Sequence, residues 1–138
     1  MKIHDDHMYH GSALIQIAEH PEFTAINSLS VKGQKLQNSY RINGEIGVHF
    51  KYASTPKKAW QEYQFTFPSD ELDELSQTLD VVEKLFLGLV CVKDREICCL
   101  SYDQLKSLID RRMADKGGPK TSTLFWSQHR RSRACALM

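Results

Sequence analysis

Hydrophobic and polar residues alternate between residues 40 and 52, and this is the clearest structural signal in the chain. Asn43 and Gly44 lie at its centre, and this pair accepts the positive φ angles of a type I′ turn. The second half of the stretch has one face of Ile46, Val48, Phe50 and Tyr52 and an opposite face of Glu45, Gly47, His49 and Lys51. The pattern predicts two antiparallel strands joined by a tight hairpin.

A second alternating stretch follows at residues 60–67, after a turn near residue 56. Its hydrophobic positions are Tyr63, Phe65 and Phe67, and its polar positions are Glu62, Gln64 and Thr66. The two stretches together predict a three-stranded antiparallel meander. Such a sheet has one face against the core and one face in solvent.

Helical periodicity and capping residues predict three helices, which begin near residues 8, 69 and 101. Pro21 ends the first, because proline disfavours a helical conformation in the residue before it. Apolar runs predict strands at residues 84–92 and 96–100, whereas residues 23–31 form either a strand or an extended connection. The predicted fold class is therefore α+β: a helix, an antiparallel meander, a helix, one or two further strands and a helix.

Composition narrows the class of protein. The chain has 138 residues, of which 41% are hydrophobic and 25% charged, and these values are typical of one globular domain. No apolar run approaches the roughly 18 residues of a membrane span, and the first residues lack the apolar segment of a secretory signal. We therefore expect a cytoplasmic protein without membrane contact. Its cysteines (Cys91, Cys98, Cys99 and Cys135) are expected to be reduced and mostly buried, and their spacing predicts no metal site.

The charges are unevenly distributed along the chain. Residues 1–110 contain 11 lysines and arginines against 16 aspartates and glutamates, whereas residues 111–138 contain 7 against 1. Glycine, proline and short polar residues near residue 118 divide a compact domain at 1–113 from a linker and basic tail at 114–138. The tail can contact phosphate or dock on a subunit. Its candidate nucleic-acid-binding residues are Lys116, Lys120, Arg130, Arg131 and Arg133.

His49, Phe50 and Lys51 form a partial motif on the second strand of the hairpin. This string and the order of elements over residues 8–92 resemble the restriction-endonuclease-like PD-(D/E)XK superfamily, in which a meander strand carries Glu-x-Lys. The resemblance implies a magnesium site for phosphodiester hydrolysis, with Lys51 activating the attacking water and Glu19 as an auxiliary acid. Histidine stands where the family has an acid, so the implied site is displaced or degenerate. The candidate catalytic residues are Glu45, His49, Lys51 and Glu62.

A simpler interpretation of these four residues is also available. They can form the solvated face of a half-buried sheet, where cross-strand Glu–Lys pairs are common. The sequence then favours a non-enzymatic interaction module without a cofactor, acting as a homo-oligomer or on a protein partner through a sheet edge or the tail. The alternative function is nucleic-acid binding by a relative of a degenerate magnesium-dependent nuclease, with the basic tail contacting phosphates.

Overall fold

A mixed five-stranded sheet forms the centre of the fold. The structure is a computed structural model that describes residues 1–56, 62–116 and 121–127, with side chains described for residues 1–56 and 62–111. The elements in chain order are α1 (Asp5–Ala18), β1 (Ile26–Val31), β2 (Gln34–Ile42), β3 (Ile46–Ala53), β4 (Glu62–Pro68), α2 (Ser69–Thr78), β5 (Lys84–Cys91), β6 (Glu96–Ser101), α3 (Tyr102–Lys116) and β7 (Thr121–Ser127).

The order of strands in the main sheet is β1-β2-β3-β5-β6. The first three are antiparallel neighbours, β3 and β5 are parallel, and β5 and β6 are antiparallel. The predicted α+β class and its antiparallel meander are confirmed. The meander consists of β1, β2 and β3, so residues 26–31 form a strand.

The predicted hairpin at Asn43 and Gly44 is confirmed. Both residues have positive φ, 54° and 80°, and together with Glu45 they join Ile42 to its register partner Ile46. The Asn43 side chain also fixes the segment before β1: its Oδ1 accepts hydrogen bonds from Thr24 N at 2.7 Å and Ala25 N at 3.2 Å. Asn43 therefore stabilises the turn and the entry into β1 together.

Replacing Asn43 with glycine is expected to lower the free energy of unfolding by about 1–2 kcal/mol, because glycine keeps the positive φ but loses the side-chain bonds. Replacement with alanine should cost about 1 kcal/mol more, since alanine disfavours this backbone conformation. Urea unfolding followed by circular dichroism measures both. Equal losses in the two variants would contradict the backbone part of this explanation.

The position of β4 differs from the prediction. Residues 62–68 form a strand, but it pairs with β7 in a separate two-stranded sheet, from Glu62↔Ser127 to Pro68↔Thr121. The neighbour of β3 is instead β5, in a parallel pairing that runs from Ile46↔Lys84 to Ala53↔Cys91. Because β2 and β5 already occupy both sides of β3, β4 packs over the sheet and buries its apolar side chains there. Residues 60 and 61 of the predicted strand lie outside the described residues.

The main sheet is covered on both faces. On one face α1 contributes Ala13 to a hydrophobic cluster that also contains Val48 and Phe50 of β3. On the other face lies the larger cluster, to which β4, β5, α2 and α3 contribute. The face that carries His49 and Lys51 is therefore not solvated, and the interpretation of these residues as a solvated sheet face is wrong. His49 is only 6% exposed, and Glu71 of α2 contacts it on this face.

The remaining sequence predictions fall on several parts of the chain. Cys91 and Cys98 are buried as expected, whereas Cys99 is exposed, and Cys135 lies outside the described residues. α3 continues past residue 113 to Lys116, and residues 121–127 form β7. The predicted division into a compact domain at 1–113 and a linker and tail at 114–138 stays a prediction. Among the described residues, no helix combines the length and apolar character that crossing a membrane requires.

Candidate functional site on strand β3

A cluster of four polar side chains lies between β3 and α2, and we call it the polar cluster: Ser39, His49, Lys51 and Glu71. His49 and Lys51 are two residues apart on β3 and therefore share a face. Glu71 belongs to the first turn of α2. Its carboxylate accepts hydrogen bonds from His49 Nε2 at 2.8 Å and from Lys51 Nζ at 2.9 and 2.8 Å. One carboxylate thus satisfies two basic side chains of the sheet.

Ser39 completes the polar cluster from β2. It is the register partner of His49, and the Ser39 Oγ lies 2.6 Å from His49 Nδ1. When Glu71 is ionised, it accepts the Nε2–H of His49. In the neutral imidazole the Nδ1 then accepts the hydroxyl proton of Ser39. The three groups form a continuous hydrogen-bonded chain.

The pairing of β2 with β1 is irregular close to Ser39. Ser28 of β1 pairs with Tyr40 of β2, whereas Ser30 of β1 pairs with Lys35 of β2. The β2 residues between Lys35 and Tyr40 therefore form a bulge opposite Leu29. Asn38, within this bulge, has a φ of 60°. Bulges are common beside functional sites because they redirect side chains. Here the pairing of β2 with β3 ends at Ser39 and His49.

The electrostatics of the polar cluster favour an ionised Glu71. Burial alone would raise the pKa of this carboxyl, but hydrogen bonds and charge from His49 and Lys51 outweigh it, so its pKa is lower than usual. Lys51 Nζ also lies 4.9 Å from the ring centre of Phe67 on β4. Lys51 is therefore held by a carboxylate and an aromatic face at once.

The arrangement contains the components of a serine nucleophile with a histidine base and an orienting acid. However, Ser39 is 3% exposed, so its hydroxyl is not accessible to a substrate in this conformation. Lys51 and Glu71 are about one-fifth exposed, 21% and 19%, and bond to each other. These contacts join α2 to β3.

The structure does not bring the four sequence-predicted residues together. Glu45 is exposed in the hairpin turn, four residues and therefore about 13 Å along the strand from His49. Lys51 contacts Phe67, which lies near the end of β4. Glu62 is at the beginning of β4, five residues and therefore about 17 Å along the strand from Phe67. Of the predicted set, only His49 and Lys51 share a site, and they share it with Glu71 and Ser39.

Sequence reasoning missed Glu71 and Ser39. An acidic residue in the first turn of a helix is already accounted for by the positive end of the helix dipole, so the sequence offers no further reason to single out Glu71. The one signal in the sequence was the His49–Lys51 motif itself. Two basic side chains on the same face of a strand need an acidic partner, and the motif contains none. Nothing local identified which of the acidic residues would supply it.

Other predicted sites rest largely on undescribed residues. Lys116 is the last residue of α3, and only its backbone is described. The other four candidates lie outside the described residues: Lys120, Arg130, Arg131 and Arg133. Within the described part of the chain, no group of three or more His, Cys, Asp or Glu side chains is arranged to hold a metal ion. Magnesium and nucleic-acid binding stay predictions.

Comparisons with protein-family models, curated proteins and solved structures found no significant match to this chain. The resemblance to the PD-(D/E)XK superfamily therefore stays a prediction that depends on element order and on one partial motif.

Proposed function

We propose that the protein is a non-enzymatic interaction module that self-associates by pairing the β1 strands of two copies. The observation that carries the proposal is the character of this edge. β1 is the terminal strand of the main sheet, and its sequence from Ile26 to Val31 contains neither a charged residue nor a proline. Edge strands commonly carry such residues, which prevent pairing with other chains.

The backbone of β1 offers hydrogen-bonding groups to a second strand. Asn43 N donates to Ala25 O at 2.9 Å, so the backbone groups of Ala25 point towards β2. Backbone direction alternates along an antiparallel strand. The N–H and C=O groups of Ile26 and Ser28 therefore point away from β2, towards the edge on which no strand of the described residues pairs.

A two-fold axis through Ser28 would pair these backbone N–H and C=O groups with the same groups of a second copy. Two antiparallel β1 strands related by this axis keep the same face of each sheet on the same side. Ser28 then lies opposite Ser28 of the second copy, and Ile26 lies opposite Ser30. In the same register, Lys32, which follows β1, lies opposite Thr24 of the second copy and points towards Glu22 of that copy. Thr24 and Glu22 precede β1, so the charges that flank the paired strands are complementary.

The polar cluster supports the non-enzymatic part of the proposal. Its four side chains form hydrogen bonds with one another, and the cluster joins α2 to the sheet. A buried network of this kind is sufficient to position a helix without any catalytic role.

Sedimentation velocity over about a hundredfold range of protein concentration tests the proposal. We expect a concentration-dependent dimer, since a strand of six residues is a small contact. Ser28→Pro removes the outward N–H and should weaken the dimer by about tenfold or more, whereas Ser28→Ala keeps the backbone donor and should leave the dimer unchanged. Circular dichroism establishes that both variants are folded.

Ser28→Lys provides a second test, because the new charge would face its own copy across the axis and should also give a monomer. A wild-type protein that stays monomeric throughout the concentration range would refute the proposal. So would a dimer that folded Ser28→Pro and Ser28→Lys variants retain.

A further inference from the structure

A cleft of about 720 Å³ opens beside α1 on the face of the sheet that α1 covers. One wall is the C-terminal half of α1 together with Phe23, the sheet contributes Phe50 and Phe86, and Ile97 and Cys99 lie on the β6 side. Small-molecule sites commonly have volumes of about 300–1,000 Å³ and mostly apolar walls. The cleft therefore has the size and lining of a site for one small molecule, and it is distinct from the polar cluster on the opposite face.

Hydrogen bonds fix the end of the cleft where α1 leads into β1. Phe23 N donates to His20 O at 3.0 Å, and Glu22 N donates to His20 Nδ1 at 3.2 Å. Asn43 Nδ2 donates to Glu22 O at 2.9 Å. These bonds join the helix end, the connecting segment and the hairpin. A ligand would enter a site that is already formed, so little binding energy would be lost in ordering it.

The same end of the cleft favours a positive charge. Glu22 lines it, and Glu19 follows the last residue of α1. The last turn of α1 contains no basic residue to offset the negative end of the helix dipole. The described residues that line the cleft include no lysine or arginine, while Gln16 and His20 can form hydrogen bonds there.

We propose that this cleft binds a small molecule with an apolar, ring-containing body and a protonated amine. The rings of Phe23 and Phe86 would contact the body, and the amine would lie near Glu22 and the end of α1. Aromatic side chains favour flat partners through stacked and edge-to-face contacts. A carboxylate Glu22 provides a charge-assisted hydrogen bond to an ammonium group. The site is formed within one copy; in the proposed dimer, Lys32 of the second copy and the amine would compete for Glu22.

Titration of the ¹⁵N-labelled protein with 1-naphthylmethylamine at neutral pH tests the site by NMR. We expect saturable shifts of the backbone amides of Phe23, Gly88 and Ile97. The matched anion 1-naphthoate should bind about tenfold more weakly, because its charge is repelled where that of the amine is attracted. Glu22→Gln should reduce this preference, because it removes both the attraction for the amine and the repulsion of the carboxylate.

Two tryptophan variants on α1 separate the cleft from the rest of the surface. Gln16→Trp places a large side chain in the cleft and should weaken amine binding by about tenfold or more. Ile15→Trp is the matched control, because Ile15 is 61% exposed and does not line the cleft, and it should bind like the wild type. Absent or non-saturable shifts, equal binding of the carboxylate, or unchanged binding by Gln16→Trp would each overturn the proposal. Should Gln16→Trp fail to fold, the Glu22→Gln titration decides.

Discussion

Replacing Glu71 with leucine is expected to lower the free energy of unfolding by about 2–3 kcal/mol, which is large for one substitution on a helix. The variant leaves the ammonium group of Lys51 and the Nε2–H of His49 without their acceptor. His49 is 6% exposed, so water cannot readily replace the carboxylate there. Because Lys51 is about one-fifth exposed, at 21%, we expect a loss below that of a fully buried pair. Urea unfolding followed by circular dichroism measures the difference.

Two variants identify the source of this loss. Glu71→Gln keeps the size and one acceptor oxygen but removes the charge, and should cost about 1–2 kcal/mol. Glu74→Leu introduces the same leucine at an exposed position of α2 and should change stability by no more than about 0.5 kcal/mol. If Glu71→Leu were as harmless as Glu74→Leu, the polar cluster would not stabilise the attachment of α2.

The contribution of Glu71 should also depend on pH. Its pKa in the folded protein is below the ordinary value of 4.5, because the bonds from His49 and Lys51 outweigh the effect of burial. The stabilisation is therefore fully present above about pH 4.5 and is lost as the pH falls through the lower, folded pKa. The stability difference between the wild type and Glu71→Gln should narrow in this acid range. A difference that stays constant below pH 4 would argue against an ionised Glu71.

Local sequence signals predicted the parts of the fold that local interactions determine. The turn at Asn43 and Gly44 depends on backbone conformations that these two residues adopt readily. The alternation in β4 likewise identified a strand, and its three aromatic side chains are buried as the pattern implied. In each case the residues that carry the signal are also those that make the contacts.

The neighbour of β3 could not be predicted in the same way. Both β4 and β5 are apolar enough to pair with it, and short connections favour β4. The outcome depends on an eight-residue parallel register with β5, from Ile46↔Lys84 to Ala53↔Cys91. This pairing leaves β4 free to cover the sheet, and the choice involves residues more than thirty positions apart.

The polar cluster shows why alternation alone misassigns a face. Gly47, His49 and Lys51 have the spacing of solvent-facing residues, but α2 packs beside His49 and Lys51 and supplies the carboxylate that these two require. Glu71 lies 20 residues from Lys51 in the sequence, and only the packing of α2 brings the two together. The cleft beside α1 was likewise invisible in the sequence, since its lining comes from α1, the segment after it and four strands.

Replacing Gly88 with alanine is expected to lower the free energy of unfolding by about 2–3 kcal/mol, although the same change usually stabilises a strand. A Cβ at Gly88 would lie 2.6 Å from Cδ1 and 2.7 Å from Cε1 of Phe50. The ring of Phe50 is 2% exposed and stacks with His10 at a centroid distance of 5.6 Å. The new methyl group therefore requires either that the ring leaves its contact with His10 or that β5 shifts.

The control is Gly11→Ala, in α1, where no described atom other than those of its chain neighbours and the surrounding helix backbone lies within 4 Å of the added Cβ. This variant should stabilise the protein by about 0.5–1 kcal/mol, so the same chemical change has opposite signs at the two glycines. Phe50→Leu should be destabilising alone but should partly rescue Gly88→Ala, because leucine lacks the ring that the new methyl group meets. A double-mutant cycle from urea unfolding measures this coupling, which we expect to be at least about 1 kcal/mol. Additive effects of the two substitutions would mean that Phe50 does not set the requirement for glycine at position 88.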